Sequence, residues 1–505
     1  MGETIDILVI GGGINGAGIA RDAAGRGLKV ALVEAGDLGG ATSSASTKLI
    51  HGGLRYLEFY QFGLVRKALA EREVLLDIAP HITWPQSFVL PVTGDRPEWQ
   101  LRAALFLYDH LAKRITVPGS ERIDLRNDRT GRALDARYTR AFRFWDGWVD
   151  DARLVVANVR DAANRGALVA PRTRVVAARV EGEHWLATLS DGRELTARHI
   201  VNAAGPWAEQ VARTVLGRND APALRLVQGS HIVTRRVHLG RDAFMLQQPD
   251  GRIVFVIPYE RDFSLIGTTE RTVETPEAAH VTGEESEYLL GAVNRFLARP
   301  LTPGDIVHRY AGVRPLILEA GKGDRETSRD YHLVEHEGVN ALTVVGGKIT
   351  TYRVLAEAVM KLIAPDSKPW TATAALPGGD VERLGDETGQ AAFKRWLGNL
   401  TAKFENYDPR LVKRLALTIG TAADGLLAGG LGDNLGGLFE AELDYFVSRE
   451  WATTADDVLW RRTKQGLHMD AAAKARVAAW FGEAPPAPSP TDAEVTHRFA
   501  TPGTD

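Results

Sequence analysis

Three glycines and one glutamate near the start of the chain have the spacing of a dinucleotide site. Gly11, Gly13 and Gly16 form the pattern G-x-G-x-x-G. The glycines of such a pattern allow a tight turn, close approach of a pyrophosphate to the backbone, and close packing of a helix on a strand. Glu34 ends the next apolar segment, where a carboxylate can accept a hydrogen bond from a ribose hydroxyl. These residues predict a bound dinucleotide and leave its identity open.

Residues 41–56 bring hydroxyls, cations and an imidazole into one segment. The segment contains several serines and threonines together with Lys48, His51, Arg55 and two adjacent glycines. Small and hydroxylated residues let the backbone approach a phosphate, a sugar chain or a flat ring, and a histidine can move a proton. The alternative is a loop rich in serine and threonine in which the histidine and the arginine are incidental.

Apolar segments with the spacing of strands and helices must position these residues. Residues 5–10 and 28–33 predict two strands joined by a helix over 17–24, so the glycines lie in a βαβ unit. The other predicted helices cover 54–77, 99–114, 284–297 and 349–362, and the other predicted strands cover 167–180, 185–189, 199–205, 226–234, 243–247, 253–258, 263–267 and 342–345.

The order of these elements favours one class of α/β protein. One βαβ unit followed by distant strands differs from a compact NAD dehydrogenase and suits an FAD oxidoreductase with an inserted antiparallel β-sheet substrate domain. We therefore expect one FAD-dependent oxidoreductase domain over 1–375, a helical C-terminal domain over 376–482 and a disordered tail over 483–505. The FAD-binding parts are predicted at about 1–80, 145–210 and 305–365, and the substrate-binding parts at about 81–144 and 211–304.

Composition limits the chemistry and the compartment. The chain has 505 residues, no cysteine and a net charge of -3. Without cysteine there is no disulfide, no cysteine-ligated Fe–S cluster and no cysteinyl flavin, so electrons would leave from the bound cofactor itself. We expect no metal site and no nucleic-acid partner. No apolar run reaches the roughly 18 residues of a membrane span, and the first strand begins too early for a signal peptide, which favours the cytoplasm.

Several dispersed segments resemble one family. They are residues 41–58, 148–154, 202–207, 229–233, 253–258, 266–269, 311–316, 328–331, 346–353 and 456–464. Together they resemble the FAD-dependent glycerol-3-phosphate dehydrogenases of aerobic bacterial respiration, over about residues 4–482. The resemblance implies a Rossmann-like FAD domain of the glutathione-reductase and D-amino-acid-oxidase type.

The resemblance also implies which residues hold FAD. They are Gly11, Gly13, Ile14, Asn15, Gly16, Glu34, Thr42, Ser43, Ser44, Ser46, Lys48, Leu49, His51, Gly52, Gly53, Val175, Ala203, Ala204, Gly205, Gly346, Gly347, Lys348 and Thr350. Local physics agrees at 346–348, because a helix N-terminus and a lysine would stabilise the negative charge of a reduced flavin. A glycine turn with a solvated lysine is the alternative there.

The implied reaction oxidises sn-glycerol 3-phosphate at C2 to dihydroxyacetone phosphate, with hydride transfer to FAD. Arginines suit the phosphate because a guanidinium donates two parallel hydrogen bonds. The residues matched to substrate binding are Arg55, Tyr56, Arg314, Arg329 and Thr351, and those matched to catalysis are His51, Arg314, Lys348 and His231. The base for the hydroxyl proton is left open among His51, His231 and Lys348.

The resemblance implies ubiquinone or menaquinone as the electron acceptor, peripheral attachment to the cytoplasmic side of the inner membrane, and a homodimer. Residues 393–397 and 411–415 mix basic and apolar side chains as interfacial helices do, although ordinary amphipathic helices have the same pattern. The alternatives are a glycerol-3-phosphate oxidase that uses oxygen, an amine or amino-acid oxidase of the same fold, and a flavin-binding protein without catalysis.

Overall fold

The computed structural model describes residues 4–94, 96–317 and 331–484. Its strands are β1 (Ile5–Ile10), β2 (Val30–Val33), β3 (Leu49–Ile50), β4 (Thr83–Pro91), β5 (Glu121–Asp124), β6 (Arg140–Val149), β7 (Leu168–Ala170), β8 (Val175–Glu181), β9 (His184–Leu189), β10 (Glu194–Asn202), β11 (Leu224–Arg235), β12 (Ala243–Gln247), β13 (Ile253–Tyr259), β14 (Phe263–Gly267), β15 (Arg271–Val273), β16 (Ile306–Ile317), β17 (His332–Glu335) and β18 (Ala341–Val345). Its α-helices are α1 (Ile14–Gly25), α2 (Phe62–Ile78), α3 (Glu98–His110), α4 (Asp151–Asn164), α5 (Ala208–Thr214), α6 (Gly283–Asn294), α7 (Tyr352–Ile363), α8 (Gly389–Lys403), α9 (Pro409–Ile419), α10 (Ala422–Gly429), α11 (Glu440–Glu450) and α12 (Ala471–Trp480).

The first sheet has a parallel centre in the order β18–β10–β1–β2–β7. β17 and the β8–β9 hairpin extend it with antiparallel pairs. The central strand β1 is apolar and buried because helices cover the sheet, as in other parallel sheets. α1 packs against α4 and α7, and the crossing with α7 is close because a Cβ on Gly18 would lie 2.6 Å from the Tyr352 ring.

The second sheet is mainly antiparallel and runs β15–β11–β14–β13–β12–β4–β6–β3. β16 pairs along β11, β5 pairs with β6, and β12 and β4 are parallel. Apolar clusters lie on both sides of this sheet, one against α2 and α3 and the other against α6. The sheet is therefore buried on both faces and holds rigidly the strands that reach the site.

Helices α8 to α12 enclose a separate apolar core. Phe393, Val412 and Leu415 are buried in this core, so the apolar side chains of 393–397 and 411–415 contribute to packing within the C-terminal region. Arg395 and Arg414, from the same two segments, form ion pairs with Glu387 and Glu442. The two segments thus have the ordinary amphipathic role that the sequence left as the alternative. Within the described residues, no helix combines the length and the apolar character needed to cross a bilayer.

The predicted α/β architecture is confirmed, and several elements differ in detail. The helix expected over 54–77 is a 3-10 turn, Leu54–Phe59, followed by α2. β4 and β6 have no counterpart in the predicted strands, although they pair along nine residues each. β16 falls in the segment 305–365 that the sequence assigned to FAD binding, but it pairs with β11 in the second sheet. The domain boundaries otherwise stay predictions, and the expected tail lies outside the described residues beyond 484.

Candidate active site

The dinucleotide loop has the close contacts that its glycines predict. Gly11 has a φ of +112°, and a Cβ there would lie 2.5 Å from the carbonyl oxygen of Ala203. A Cβ on Gly16 would lie 1.9 Å from the carbonyl oxygen of Gly11. A Cβ on Gly13 would meet only the Ser43 hydroxyl, at 3.2 Å. Gly11 and Gly16 therefore pack the turn against β10 and α1, while the Gly13 backbone faces open space.

Glu34 is fixed at the end of β2 by backbone amides. Its carboxylate accepts hydrogen bonds from Gly12 N–H at 2.6 Å and from Gly36 N–H at 2.7 Å. Burial raises the pKa of Glu34, and these two amides oppose the rise. A carboxylate in this place retains lone pairs for a further donor such as a ribose hydroxyl.

Residues 41–53 are called the hydroxyl loop below. The hydroxyls of residues 42–46 connect this loop to distant parts of the chain. Ser43 Oγ accepts from Ile14 N–H at 3.0 Å, Thr42 Oγ1 donates to the Val313 carbonyl at 2.6 Å, and Ser46 Oγ donates to Asp151 at 2.7 Å. The loop is therefore held between α1, β16 and α4.

One cavity of about 1140 Å³ joins these segments. Its lining includes these predicted cofactor residues: Gly11, Gly13, Ile14, Asn15, Glu34, Thr42, Ser43, Ser46, Leu49, His51, Val175, Ala203, Ala204, Gly205, Gly346, Gly347, Lys348 and Thr350. Other predicted residues lie behind this lining. Gly16, Gly52 and Gly53 pack inside the wall, while Ser44 and Lys48 face a neighbouring cavity of about 540 Å³.

Lys48 has a structural environment. Its ammonium is buried, donates to Asp151 at 2.7 Å and to the Ser44 carbonyl at 3.1 Å, and lies 5.3 Å from the centre of the Tyr310 ring. Since Asp151 also accepts a hydrogen bond from Ser46, the lysine and the aspartate together fix the position of the hydroxyl loop. This geometry supports a positioning role for Lys48, in place of the direct cofactor contact that the resemblance implied.

His51, Tyr56 and Lys348 lie on one part of the cavity wall. The His51 backbone N–H donates to Thr350 Oγ1 at 3.3 Å, which joins the hydroxyl loop to the turn before α7. Lys348 Nζ lies 3.9 Å from the centre of the Tyr56 ring, close enough for a cation–π interaction. An imidazole and an ammonium therefore reach the same cavity from segments about 300 residues apart in the sequence.

Arg314 reaches the cavity from β16, where it lies opposite Val227 of β11. A Cβ on Gly229 would lie 2.8 Å from Arg314 Nη2, so the glycine leaves room for the guanidinium. Glu270 Oε1 is 3.9 Å from Arg314 Nη1, at the limit of an ion pair. Arg314 is thus a cation that a small anionic ligand can reach.

The other predicted substrate residues have different positions. Arg55 packs over Phe59 and Thr351 is buried, and neither is among the residues that line the cavity. Arg329 lies outside the described residues.

His231 lies one layer behind the cavity. Its Nε2 is 2.9 Å from the Thr47 hydroxyl, its ring stacks on Tyr310 at 4.8 Å, and a Cβ on Gly267 would touch it. Burial lowers the pKa of His231 well below its ordinary value, and the cations of Arg314 and Lys48 lower it further. His231 is therefore a neutral ring that contacts Thr47, a residue of the cavity lining.

The sequence prediction missed seven charged residues of the cavity wall: Asp37, Arg172, Arg174, Glu277, Asp456, Asp457 and Arg461. Three of them come from the C-terminal region, which the prediction treated as separate from the cofactor. The available signal was the concentration of aspartates and arginines over 456–462.

The cavity has the chemistry that FAD requires. The lining combines the dinucleotide loop and Glu34 with Lys348 and Arg314, a set of residues that suits a cofactor with two phosphates and a planar ring. Asn15 Oδ1 is buried and accepts no hydrogen bond from the residues described, so a donor is lacking at the entrance to α1. These features fit the adenosine and pyrophosphate portions at one end and the reactive ring at the other.

Known proteins similar to the chain agree with this reading. The family model described as FAD dependent oxidoreductase matches residues 6–353. D-erythritol 1-phosphate dehydrogenase of Brucella abortus is 46% identical, covering 95% of this chain and 98% of that protein. Aerobic glycerol-3-phosphate dehydrogenase of Escherichia coli is 44% identical, with the same two coverages, 95% and 98%. The solved glycerol-3-phosphate dehydrogenase from Bacillus halodurans complexed with FAD has a TM-score of 0.73 and 27% identity, covering 92% of this chain and 86% of that one.

Proposed function

The chain belongs to the FAD-dependent glycerol-3-phosphate dehydrogenase family, and from this premise we propose that it oxidises sn-glycerol 3-phosphate to dihydroxyacetone phosphate. The observation that carries the proposal is the convergence of Arg314, Lys348 and His51 on the cavity that begins at the dinucleotide loop. This arrangement offers one cation for a phosphate, a second for developing negative charge, and an imidazole for a proton.

Bound FAD would accept a hydride from C2 of the substrate. The residues that would hold this cofactor are Gly13 through its backbone, Glu34 through its carboxylate, and the hydroxyl loop. Gly347 and Lys348 would lie at the reactive ring, where a cation favours the reduced state.

Substrate orientation would depend on Arg314. Its guanidinium can donate two parallel hydrogen bonds to the phosphate, and it fits beside Gly229 because that residue has no Cβ. Arg329 is retained as a second phosphate residue on the resemblance alone. With the phosphate held there, the C2 hydroxyl would lie toward His51, whose imidazole would take the hydroxyl proton.

An anaerobic titration tests the proposed reaction. The holoenzyme is mixed with sn-glycerol 3-phosphate, and the oxidised flavin absorbance is followed to completion. We expect stoichiometric bleaching by the phosphate ester and none by glycerol or glycine. Absence of bleaching by the ester would refute the proposed substrate, and bleaching by glycine would point to the amino-acid oxidase alternative.

D-erythritol 1-phosphate is a second candidate substrate, favoured by the 46% identity to the dehydrogenase of that name. It shares the phosphate and the secondary hydroxyl and has one more carbinol group. The ratio of kcat/KM for the two esters separates the candidates, since one extra group in a fitted site changes binding by about 1–3 kcal/mol, or roughly 10- to 200-fold.

For the electron acceptor we propose a quinone. The lack of cysteine supports direct transfer from the flavin, because no cysteine-ligated cluster can relay electrons. Anaerobic reduction of a soluble ubiquinone analogue, compared with peroxide formed in air, tests this. A peroxide yield equal to substrate consumption together with slow quinone reduction would favour the oxidase alternative.

We propose peripheral attachment to the cytoplasmic face of the membrane. The proposed contact surface lies within residues 59–115 and replaces the segments 393–397 and 411–415 that the sequence suggested. Of the fourteen large apolar residues that are exposed in the described part of the chain, seven fall within 59–115: Phe59, Tyr60, Phe62, Trp99, Phe106, Leu107 and Ile115. α3 packs against the turn Leu54–Phe59, and the ring centres of Tyr60 and Phe62 lie 6.1 Å apart, so the segments that carry these side chains are neighbours. Arg66, Arg102 and Lys113 are exposed in the same segment and would attract anionic lipid.

Flotation with anionic vesicles tests this surface. We expect Trp99→Ser and Phe106→Ser together to abolish flotation while anaerobic bleaching is retained, and Leu239→Ser, on an exposed apolar residue elsewhere, to leave flotation unchanged. Flotation that survives the double substitution would exclude this face. The homodimer is proposed on the resemblance alone, and light scattering during size-exclusion chromatography tests it.

A further inference from the structure

The C-terminal region forms part of the cofactor cavity, although it lies outside the residues that match the FAD-dependent oxidoreductase family, 6–353. Thr454, Asp456, Asp457 and Arg461 line the same cavity as the dinucleotide loop. Asp457 and Arg461 lie in a π-helical stretch, Asp457–Arg462. Such stretches are rare and occur often at functional sites. The wall therefore has a component that the family match leaves without a role.

Two consecutive arginines of this stretch bind one aspartate of the dinucleotide domain. Arg461 Nε is 2.6 Å from Asp37 Oδ2, and the two terminal nitrogens of Arg462 are each 2.7 Å from the Asp37 carboxylate. Arg462 is fully buried and Asp37 nearly so. Asp37 follows Glu34 by three residues, so these ion pairs fix the loop that carries the predicted ribose acceptor.

A second pair fixes the neighbouring segment. Arg172 Nη2 donates to both oxygens of Asp457 at 2.9 Å. The backbone N–H of Arg172 donates to the Gly36 carbonyl at 2.8 Å, and that of Thr173 donates to the Glu34 carbonyl at 2.8 Å. Residues 34–37 and 172–173 are thus one hydrogen-bonded wall, held from outside by Asp457 and Arg461.

The charges of this contact are balanced. Arg461 also donates to Asp457 at 2.6 Å and to Asp456 at 2.8 Å, so it contacts three carboxylates. Burial would raise the pKa of Asp457, but hydrogen bonds from the Thr453 backbone and from Arg461 outweigh it and lower the pKa. The aspartate stays ionised, and removing one arginine would leave buried negative charge beside the cavity.

We propose that residues 454–462 act as a clamp on the adenosine end of FAD, with Arg461 as the positioning residue that retains the cofactor through Asp37. The clamp keeps the Glu34–Asp37 loop and residues 172–173 closed on the cofactor, so loosening it speeds FAD release. The inference requires bound FAD but no particular substrate. The titration with polyol phosphates therefore tests the proposed function independently of the clamp.

The test measures the rate of FAD release from the holoenzyme, followed by the rise in flavin fluorescence on dilution. We expect Arg461→Gln to release FAD at least about tenfold faster, because the buried carboxylates of Asp37 and Asp457 each lose one of their arginine partners. Arg461→Lys keeps the charge but lacks the forked geometry of the guanidinium. Its rate of FAD release should lie between those of the wild type and Arg461→Gln. The matched control is Arg414→Gln, which breaks a pair with Glu442 at 2.6 Å inside the C-terminal core.

A second variant keeps the test decisive if Arg461→Gln does not fold. Arg172→Gln alters a side chain that is 36% exposed, on the opposite side of the same contact. It should also speed FAD release, with the melting temperature of the apoprotein close to that of the wild type. Wild-type release rates in the folded variants would overturn the clamp, as would equal acceleration by Arg414→Gln.

Discussion

At the scale of single residues, the sequence makes two histidines equal candidates for the catalytic base, and the structure gives them different surroundings. His51 lines the cavity beside Lys348, whereas His231 lies behind it against Thr47 and Tyr310. Since burial lowers the pKa of His231 well below its ordinary value, that ring stays neutral at physiological pH. His231 is not among the residues that line the cavity, so it can orient Thr47 but does not face the substrate directly.

His51→Asn should therefore slow flavin reduction by at least about 100-fold while FAD stays bound, because general-base catalysis contributes roughly 10²–10⁴-fold. His231→Asn should lower the rate less and leave its pH profile unchanged in shape. Stopped-flow reduction under anaerobic conditions, at several pH values, measures both. Reduction by His51→Asn at the wild-type rate would exclude His51 as the base.

Arg314 allows a prediction about affinity. Arg314→Lys keeps the charge but loses the bidentate geometry, so the substrate should bind about 10- to 100-fold more weakly, in line with the 1.5–3 kcal/mol of a charged hydrogen bond. The flavin spectrum should not change. Arg55→Lys is the control, since Arg55 packs over Phe59 and is not among the lining residues. Equal losses in the two variants would contradict a specific role for Arg314.

The residue scale also explains what the sequence could predict. The roles of Gly11 and Gly16 follow from local covalent geometry, and the structure has the expected close contacts. The environment of Lys48 depends on Asp151, 103 residues away. No local pattern indicates such a pairing, so a buried structural lysine and a cofactor lysine look alike in the sequence.

At the scale of elements, the hydroxyl loop rests on a buried polar network between α2, α3 and β6. The Gly52 N–H donates to the Tyr108 hydroxyl at 2.8 Å, which donates to Asp146 at 2.8 Å, and Arg72 donates to Asp146 at 2.9 Å. Burial raises the pKa of Asp146 to about 6, although Arg72 and Tyr108 oppose the rise. This network holds the segment next to His51.

The raised pKa of Asp146 predicts a pH dependence of stability. The folded state binds a proton more tightly than the unfolded state, so this contribution is complete below pH 3.8 and is lost as the pH rises to about 6. Each pKa unit corresponds to about 1.4 kcal/mol. The free energies of unfolding of Asp146→Asn and of the wild type, measured with denaturant, should change differently with pH across this window. From pH 7 to 8 the two curves should run parallel. Parallel curves throughout would contradict a raised pKa.

The elements that the sequence missed have a common physical reason. β4 contains two prolines, Pro85 and Pro91, and β6 mixes Arg143 and Asp146 with aromatic residues, so neither follows a simple strand pattern. Each is stabilised by the other through antiparallel pairing. Pairing between segments more than 50 residues apart leaves no local signal, and the same holds for β16 on β11.

At the scale of the whole molecule, the C-terminal region is attached to the rest by buried charges. Glu450 of α11 pairs with Arg153 of α4, with Arg153 Nη2 2.8 Å from Glu450 Oε1, and Lys464 pairs with Asp150 at 3.1 Å. Burial would raise the pKa of Glu450, but Arg153 outweighs it and lowers the pKa. The carboxylate therefore stays ionised, and this contribution to stability is present above pH 4.5 and lost only as the pH falls below that value.

This attachment predicts how the protein unfolds. Glu450→Gln leaves Arg153 buried with a neutral partner, which costs about 3–5 kcal/mol. Since that pair joins α11 to α4, calorimetry of the variant should resolve two unfolding transitions, and we expect a single transition for the wild type. Added FAD should merge the two transitions, because the C-terminal region and the rest of the chain both line the cavity. Glu442→Gln is the matched control, since Glu442 is equally buried but pairs with Arg414 inside the C-terminal core. It should lower stability without dividing the transition, and a divided transition in both variants would mean that the two regions unfold separately whatever joins them.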